Sequence, residues 1–381
     1  MDGSGLRKLV LTAVLMASLA GAEDFGGPSE FWADFMVHGG YTMDLVFVDY
    51  ASGEPMLARL PEMQTDIVSH GTTGRFPAGM GMFGVGGGFT NPQTLVYEVP
   101  GEGGWDLAVA GERYTDVVAL ISGPGEDLQP DVFGNRCVAF ARENSDGGYD
   151  IALWTEPSGV KVLDLGEGDE LWPTFFYAAS KGELAPPDAA WDDPDAREPE
   201  PGEMDPLNEP SAIIFQANPD GAYRLHYALL GPGSEVERTG ELSGTGFDES
   251  EGEMMCPDIP NQYYSEPDYA PDGPTPLAFQ GLTGDNRDLY LTEVRRMTSV
   301  WGDRLVAEGL RRLTDWPGQE KFPELFARYD WEADEPATWC FFASDCDGDF
   351  DIYALWVEAG RFYQLTDLPG DQTAPLVMTN P

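Results

Sequence analysis

Short apolar runs of five to seven residues, bounded by Gly, Pro, Asn and Asp, recur along this chain, and no amphipathic helical stretch competes with them. The clearest group lies near the end. Pro323–Ala327, Thr338–Ser344, Asp351–Val357 and Arg361–Thr366 read as four strands, with Asp347-Gly348 where a tight hairpin belongs. A lone four-stranded sheet leaves both apolar faces uncovered, so further copies are expected. They are present. Residues 129–165 repeat the unit, with VAFARENSDGGYDIALW aligning to FFASDCDGDFDIYALW. Residues 265–294 with 309–315 form a third copy, and 171–178 with 212–230 a weaker fourth.

The first proline of each unit falls at Pro130, Pro173, Pro267 and Pro323, and the shortest interval suits a four-stranded propeller blade. The longer intervals hold insertions at 180–210 and 243–264, which lack apolar periodicity and read as loops. Upstream, a degenerate unit spans 63–122, with a first strand at 66–70 and a Gly-rich loop at 72–89. Residues 30–62 supply three strands without a first one, and 372–379 repeat that missing strand at the other end of the chain. The pattern therefore predicts an all-β, six-bladed β-propeller closed by a C-terminal strand in the N-terminal blade. Its blades fall at 30–62 plus 372–379, 63–122, 128–166, 171–242, 265–315 and 321–367, within a single domain of 23–381.

Two stretches carry a family resemblance. P-x-x-x-P-D-G…L-A-F…D-L-Y in 267–290 and D-G-x-x-D-I-Y…L-T-D in 347–367 resemble the WD40-like (PD40) repeats of TolB-type six-bladed propellers. The resemblance covers most of 30–381 and implies the propeller fold. TolB's preceding α/β domain has no counterpart, so its envelope role is not implied. The propeller part of prolyl-oligopeptidase-type enzymes is similar too, but their catalysis sits on a separate hydrolase domain.

Charge narrows the partners. The chain carries 67 Asp and Glu against 21 Lys and Arg, a net of −46, which repels nucleic acid and anionic lipid. Only four of the cations are Lys, as in proteins whose acidic surface serves solubility at high salt. The 42 % hydrophobic content is ample for a core. Arg7 and Lys8, the apolar run Leu9–Ala20 and Ala20-Gly21-Ala22 match a secretory signal over residues 1–22, so an extracytoplasmic (periplasmic or secreted) protein is expected. No later run spans a membrane. The partner expected is a protein, small molecule or glycan at one propeller face, bound by a monomer.

Chemistry is sparse. Neither a G-x-S-x-G elbow nor a P-loop occurs. His38, His70 and His226 are scattered, and the first two are the candidates for an axial site. Cys137, Cys256, Cys340 and Cys346 allow two disulfides in three connectivities, or buried thiols, and lack zinc spacing. The sharpest local signal is Asp345, Asp347, Asp349 and Asp351, alternating carboxylates that suit Ca²⁺; the plainer reading is a repeat turn, with Asp150 and Asp288 as counterparts of Asp351. Antiparallel geometry places Asp146, Asp220, Asp285 and Asp347 around one mouth with the links 123–130, 314–323 and 368–375. The alternative to a binding scaffold is a carbohydrate-active hydrolase or lyase with its site in the axial channel.

Overall fold

The computed structural model describes residues 30–37, 42–49, 58–60, 75–80, 94–110, 117–133, 137–155, 158–176, 210–242, 248–254, 274–283, 286–300, 302–330, 335–367 and 370–379. Among the described residues, all of the regular structure except one 3₁₀ turn at Pro232–Ser234 is strand. In chain order β1 is Glu30–Val37, β2 Thr42–Asp49, β3 Ala58–Leu60, β4 Arg75–Met80, β5 Thr94–Pro100, β6 Trp105–Ala110 and β7 Val117–Ile121. Next come β8 Asp127–Phe133, β9 Cys137–Glu143, β10 Tyr149–Thr155, β11 Gly159–Val162, β12 Glu170–Phe175, β13 Ala212–Ala217, β14 Arg224–Gly231 and β15 Glu235–Glu241. The last are β16 Asp248–Met254, β17 Thr275–Thr283, β18 Asn286–Ser299, β19 Gly302–Arg312, β20 Glu320–Asp330, β21 Glu335–Ser344, β22 Asp351–Trp356, β23 Arg361–Gln364 and β24 Gln372–Thr379.

Strands pair antiparallel in fours, in sequence order: β4–β7, β8–β11, β12–β15, β16–β19 and β20–β23. This is the arrangement of a β-propeller with four-stranded blades. These are five blades, where six were expected. A further sheet of order β24-β1-β2-β3 is described in its β1–β3 part by backbone pairing alone.

Burial is between blades. Cys137, Ala139, Ile151 and Leu153 of one blade pack on Phe175, Ile213, Phe215 and Leu230 of the next. Phe176, Ile214, Tyr227 and Leu229 then pack on Leu277, Phe279 and Tyr290. The second and third strands are apolar on both faces for this reason: β13 (AIIFQA) is buried at every position. Fourth strands lie outermost and read polar, as EVERTGE does in β15.

Two innermost strands fall where the sequence suggested otherwise. β4 lies inside the expected Gly-rich loop 72–89, not at 66–70, and β16 lies inside the expected insertion 243–264. With β16 as first strand, its blade starts near residue 248 and not at 265. The physical reason is that β16, DESEGEM, faces the axis and its Glu249, Ser250 and Glu251 side chains are spent on hydrogen bonds, so it carries almost no hydrophobic signal. The expected leader 1–22, residues 180–209 of the expected insertion and Pro267 lie outside the described residues.

Candidate axial site

Each described innermost strand breaks register once, at the same place. Pairing slips between Leu128 and Asp131, Leu171 and Thr174, Ser250 and Glu253, and Lys321 and Glu324. At each slip one residue takes left-handed backbone: Gln129 (φ 55°), Trp172 (50°), Glu251 (51°) and Phe322 (54°), with Ala374 (53°) on β24. The next residue is Pro130, Pro173, Gly252, Pro323 or Pro375. Proline has no N–H to give the ladder and keeps its predecessor out of the right-handed helical region. The result is a β-bulge, the kind of local strain that re-aims a side chain.

The re-aimed side chains meet. Trp172 and Phe322 sit on strands of two blades separated by the β16 blade, yet their ring centroids are 5.7 Å apart. Only the propeller axis lets such strands touch. Hydrogen bonds link the bulges from blade to blade. The Gln129 N–H donates to Glu98 Oε1 (2.7 Å) and the Trp172 N–H to Gln129 Oε1 (3.0 Å). The Glu251 N–H donates to Gln216 Oε1 (3.2 Å) and the Phe322 N–H to Glu251 Oε2 (2.9 Å). Burial pushes the Glu251 carboxyl up to about 7, against the pull of that N–H and of the Lys321 and Arg287 charges. Asp131, which accepts from the Phe175 N–H at 2.7 Å, is pushed up to about 6, again by burial. Both residues keep some accessible surface.

Two residues before each bulge stands a second ring: Asp127, Glu170, Glu249, Glu320 and Gln372, all at most 2 % exposed. Each described acid stitches its blade to another group. Glu170 accepts from the Ile151 N–H (3.2 Å) and Glu249 from the Leu225 N–H (3.0 Å), both on the preceding blade. Glu320 reaches the equivalent Leu289 N–H through Thr314, whose hydroxyl donates to Glu320 (2.8 Å) and accepts from Leu289 (2.9 Å). Asp127 instead takes a bidentate pair from Arg142 at 2.7 and 2.8 Å. Burial pushes Glu170 and Glu320 up to about 7.

The rim follows the repeat. Trp105, Tyr149, Tyr223, Arg287 and Phe350 stand one residue before Asp106, Asp150, Arg224, Asp288 and Asp351. Tyr149 donates to Glu126 (2.9 Å), and burial plus that carboxylate push its phenol up to about 12. Turns between second and third strands are tied to the adjoining inter-blade links, the preceding one through Glu143 and Asp345 and the following one through Phe350. The Glu143 N–H donates to the Glu126 carbonyl (2.8 Å), the Gln319 N–H to Asp345 (2.6 Å) and the Phe350 N–H to Asp371 (3.2 Å). Exposed turn residues Asp146, Asp220 and Asp347 stand on this face, while Asp285 lies outside the described residues.

The four carboxylates expected for Ca²⁺ are engaged separately. Asp345 accepts from Gln319, Asp349 from the Gly370 N–H (2.9 Å), and Asp351 from the Thr366 hydroxyl (3.0 Å). Gln364 donates to both Asp347 and Asp351 at 3.1 Å. Among the described residues no group of three or more His, Cys, Asp or Glu is placed to hold a metal. His226 sits in β14 beside Phe215, 6.0 Å ring to ring, with burial lowering its pKa; His38 and His70 lie outside the described residues. Cys137, Cys340 and Cys346 are not joined in a disulfide, and Cys256 lies outside the described residues. Sequence reading missed Gln129, Trp172, Glu251 and Phe322. Their signal was present, as the residue preceding each repeat's first proline or its glycine substitute.

No family model and no curated protein matches the sequence. The fold is similar to that of solved propellers. TolB from Acinetobacter baumannii superposes with a TM-score of 0.52 at 10 % identity, over 92 % of this chain and 66 % of that one. The chain thus spans about two thirds of that protein's length. A putative TolB from Agrobacterium tumefaciens gives 0.47 at 12 % identity, over 93 % of this chain and all of that one. These likenesses concern the fold alone. No helix among the described residues is long and apolar enough to cross a membrane.

Proposed function

We propose that this chain is an exported six-bladed propeller that serves as an interaction scaffold, presenting the face that carries the inter-blade links and the mouth of the axis to a protein or small ligand. The observation that carries this reading is the bracing of that face. Three of the described turns are hydrogen-bonded to an adjoining inter-blade link, around a mouth floored by the Trp172–Phe322 contact. A braced face with exposed acidic turns is what loops on a fixed scaffold offer a partner.

Closure by β24 is part of the proposal. β24 pairs with β1 and lies against β20, β21 and β4. The outer face of the β20–β23 blade holds Trp339, Phe341 and Ile352 at no more than 2 % exposure, and a sheet is needed to cover them. β24 with β1–β3 is the sheet at hand. Ala374 at φ 53° followed by Pro375 repeats the bulge of the other innermost strands. Export rests on the leader-like residues 1–22. The axial acids do not favour a hydrolase or lyase, because Glu251 and Asp131 are engaged by backbone N–H groups of neighbouring blades.

The test is retention of native partners from an extracytoplasmic extract by immobilised protein. Asp146→Arg, Asp220→Arg and Asp347→Arg together reverse the exposed turns; Glu235→Arg, on an outer strand with its side chain 81 % exposed, is the control. Loss of a partner with the turn variant alone supports the scaffold reading. Equal retention by both variants overturns it.

A further inference from the structure

At the rim position held by Trp105, Tyr149, Tyr223 and Phe350 in four blades, the β16–β19 blade has Arg287. A second departure stands one blade on. The residue before each bulge is Leu128, Leu171, Ser250 or Thr373, but in the β20–β23 blade it is Lys321. Two adjacent blades thus bring a cation to the mouth at positions where the others have none, in a chain of net −46.

Neither cation is neutralised by a carboxylate. Among the described residues, ion pairs take up Arg142, Lys161, Arg295, Arg296 and Arg312, and none is made by the half-buried Arg287 and Lys321. Neutral groups hold Arg287 instead: its Nη1 donates to Gln280 Oε1 (2.8 Å) and to Ser250 Oγ (3.2 Å). That leaves Nε and Nη2, an edge of the guanidinium that takes a carboxylate through two parallel bonds. Lys321 Nζ lies over the Phe350 ring, 4.9 Å from its centroid, which fixes the ammonium and spends none of its N–H groups. These unpartnered nitrogens are not buried, so a ligand can reach them. The two cations also belong to one place. Gln280 donates in turn to the carbonyl of Glu320 (2.7 Å), the residue before Lys321, so a single amide ties the guanidinium to the strand that carries the ammonium. Both charges act on the axial Glu251 carboxyl, and neither pairs with it.

We propose that Arg287 and Lys321 bind the carboxylate of a small organic ligand at the mouth of the ring, Arg287 through its open edge and Lys321 as a second point charge. This names a ligand class for the face described above and rests on that reading. Aromatic neighbours favour an organic ligand: Phe350 lies under Lys321, and Phe322, next in sequence, meets Trp172. Net charge favours a single carboxylate over a polyanion. At about 0.1 M salt the field of distant acids is screened beyond about 10 Å, and a small monoanion feels chiefly the two cations it touches.

Benzoate, a flat carboxylate, is the probe, and saturation-transfer NMR on the full chain is the readout. The expected result is saturable binding with a Kd on the order of 1 mM. Arg287→Gln and Lys321→Gln should each weaken it about tenfold or more. Arg287→Lys keeps the charge, loses the fork and should bind more weakly than the wild type, which carries the test if the glutamine variant fails to fold. Arg311→Gln, at an exposed position of β19, should bind like the wild type. Benzyl alcohol, the same ring without the charge, should not bind. A wild type that shows no transfer to about 10 mM benzoate overturns the proposal. So does binding unchanged in Arg287→Gln and Lys321→Gln, or benzyl alcohol that binds equally well. Inorganic phosphate binding more tightly than benzoate would show a bare oxyanion site and overturn the organic ligand. The two readings fail separately. Partner capture that depends on the turn face, without benzoate binding, leaves the scaffold reading standing and removes this site. Benzoate binding that needs Arg287, without such capture, does the reverse.

Discussion

Trp172 and Phe322 touch across the axis of the ring, 5.7 Å between ring centroids, although a whole blade separates their strands in sequence. Each is held there by left-handed backbone ahead of a proline, and each backbone N–H is taken by a side chain of a neighbouring blade: Gln129 for Trp172 and Glu251 for Phe322. Local strain, an inter-blade hydrogen bond and the closing aromatic contact are thus one device. It closes the axis and locks blade positions relative to one another.

A double-mutant cycle on Trp172→Ala and Phe322→Ala should return a coupling of about 0.5–1.5 kcal/mol, the range for aromatic pairs. The readout is urea unfolding of the four proteins. A coupling near zero would mean the rings act independently, each packing on its own blade.

Asp127 and Arg142 make a different case. The carboxylate is fully buried, and burial raises its pKa despite a bidentate guanidinium partner. Desolvation therefore offsets much of the attraction. Asp127→Ala, which leaves Arg142 only 16 % exposed and without this partner, should cost about 3 kcal/mol. Replacing both, Asp127→Leu with Arg142→Met, should come back to within about 1 kcal/mol of the wild type. If the double replacement is as damaging as the single one, the pair contributes net stability of its own.

The sequence made the blades legible because second and third strands lie between blades and are apolar on both faces, as VAFARE and DIALW show. Innermost strands were harder. β16 has the composition of a loop, since Glu249 and Glu251 spend their carboxylates on Leu225 and Phe322 N–H groups. A pattern of hydrophobicity cannot register a strand whose side chains work by hydrogen bonding. The proline period was visible, but its meaning was not. It marks a bulge, and the functional geometry belongs to the residue before it. The Asp-rich turn shows the converse. Four alternating acids looked like one site, and the fold gives them hydrogen-bond partners in Gln319, Gln364, Gly370 and Thr366, with Gln364 shared by Asp347 and Asp351.

Those partners give a direct expectation for calcium. Since each carboxylate of Asp345, Asp347, Asp349 and Asp351 already accepts a hydrogen bond, millimolar Ca²⁺ and chelator should give the same melting midpoint. A midpoint raised by several degrees in Ca²⁺, with the rise abolished by Asp349→Asn, would place a cation at this turn.

The last prediction concerns pH. Glu170, Glu251 and Glu320 are each raised to about 7 and Asp131 to about 6, in every case chiefly by burial. A carboxyl whose pKa is higher folded than unfolded binds more protons in the folded state, so stability falls as pH rises from the unfolded value toward the folded one. For the three glutamates that window runs from 4.5 to about 7. The propeller should therefore be more resistant to urea at pH 5 than at pH 8, with little further change above. Glu320 is the group to test, because Thr314 and Ser344 hydroxyls can re-orient around an amide. Glu320→Gln should flatten the loss between pH 5 and 8 while leaving the pH 5 midpoint close to that of the wild type. A variant that loses as much stability over that range as the wild type would show that the buried Glu320 carboxyl is not among the groups being titrated.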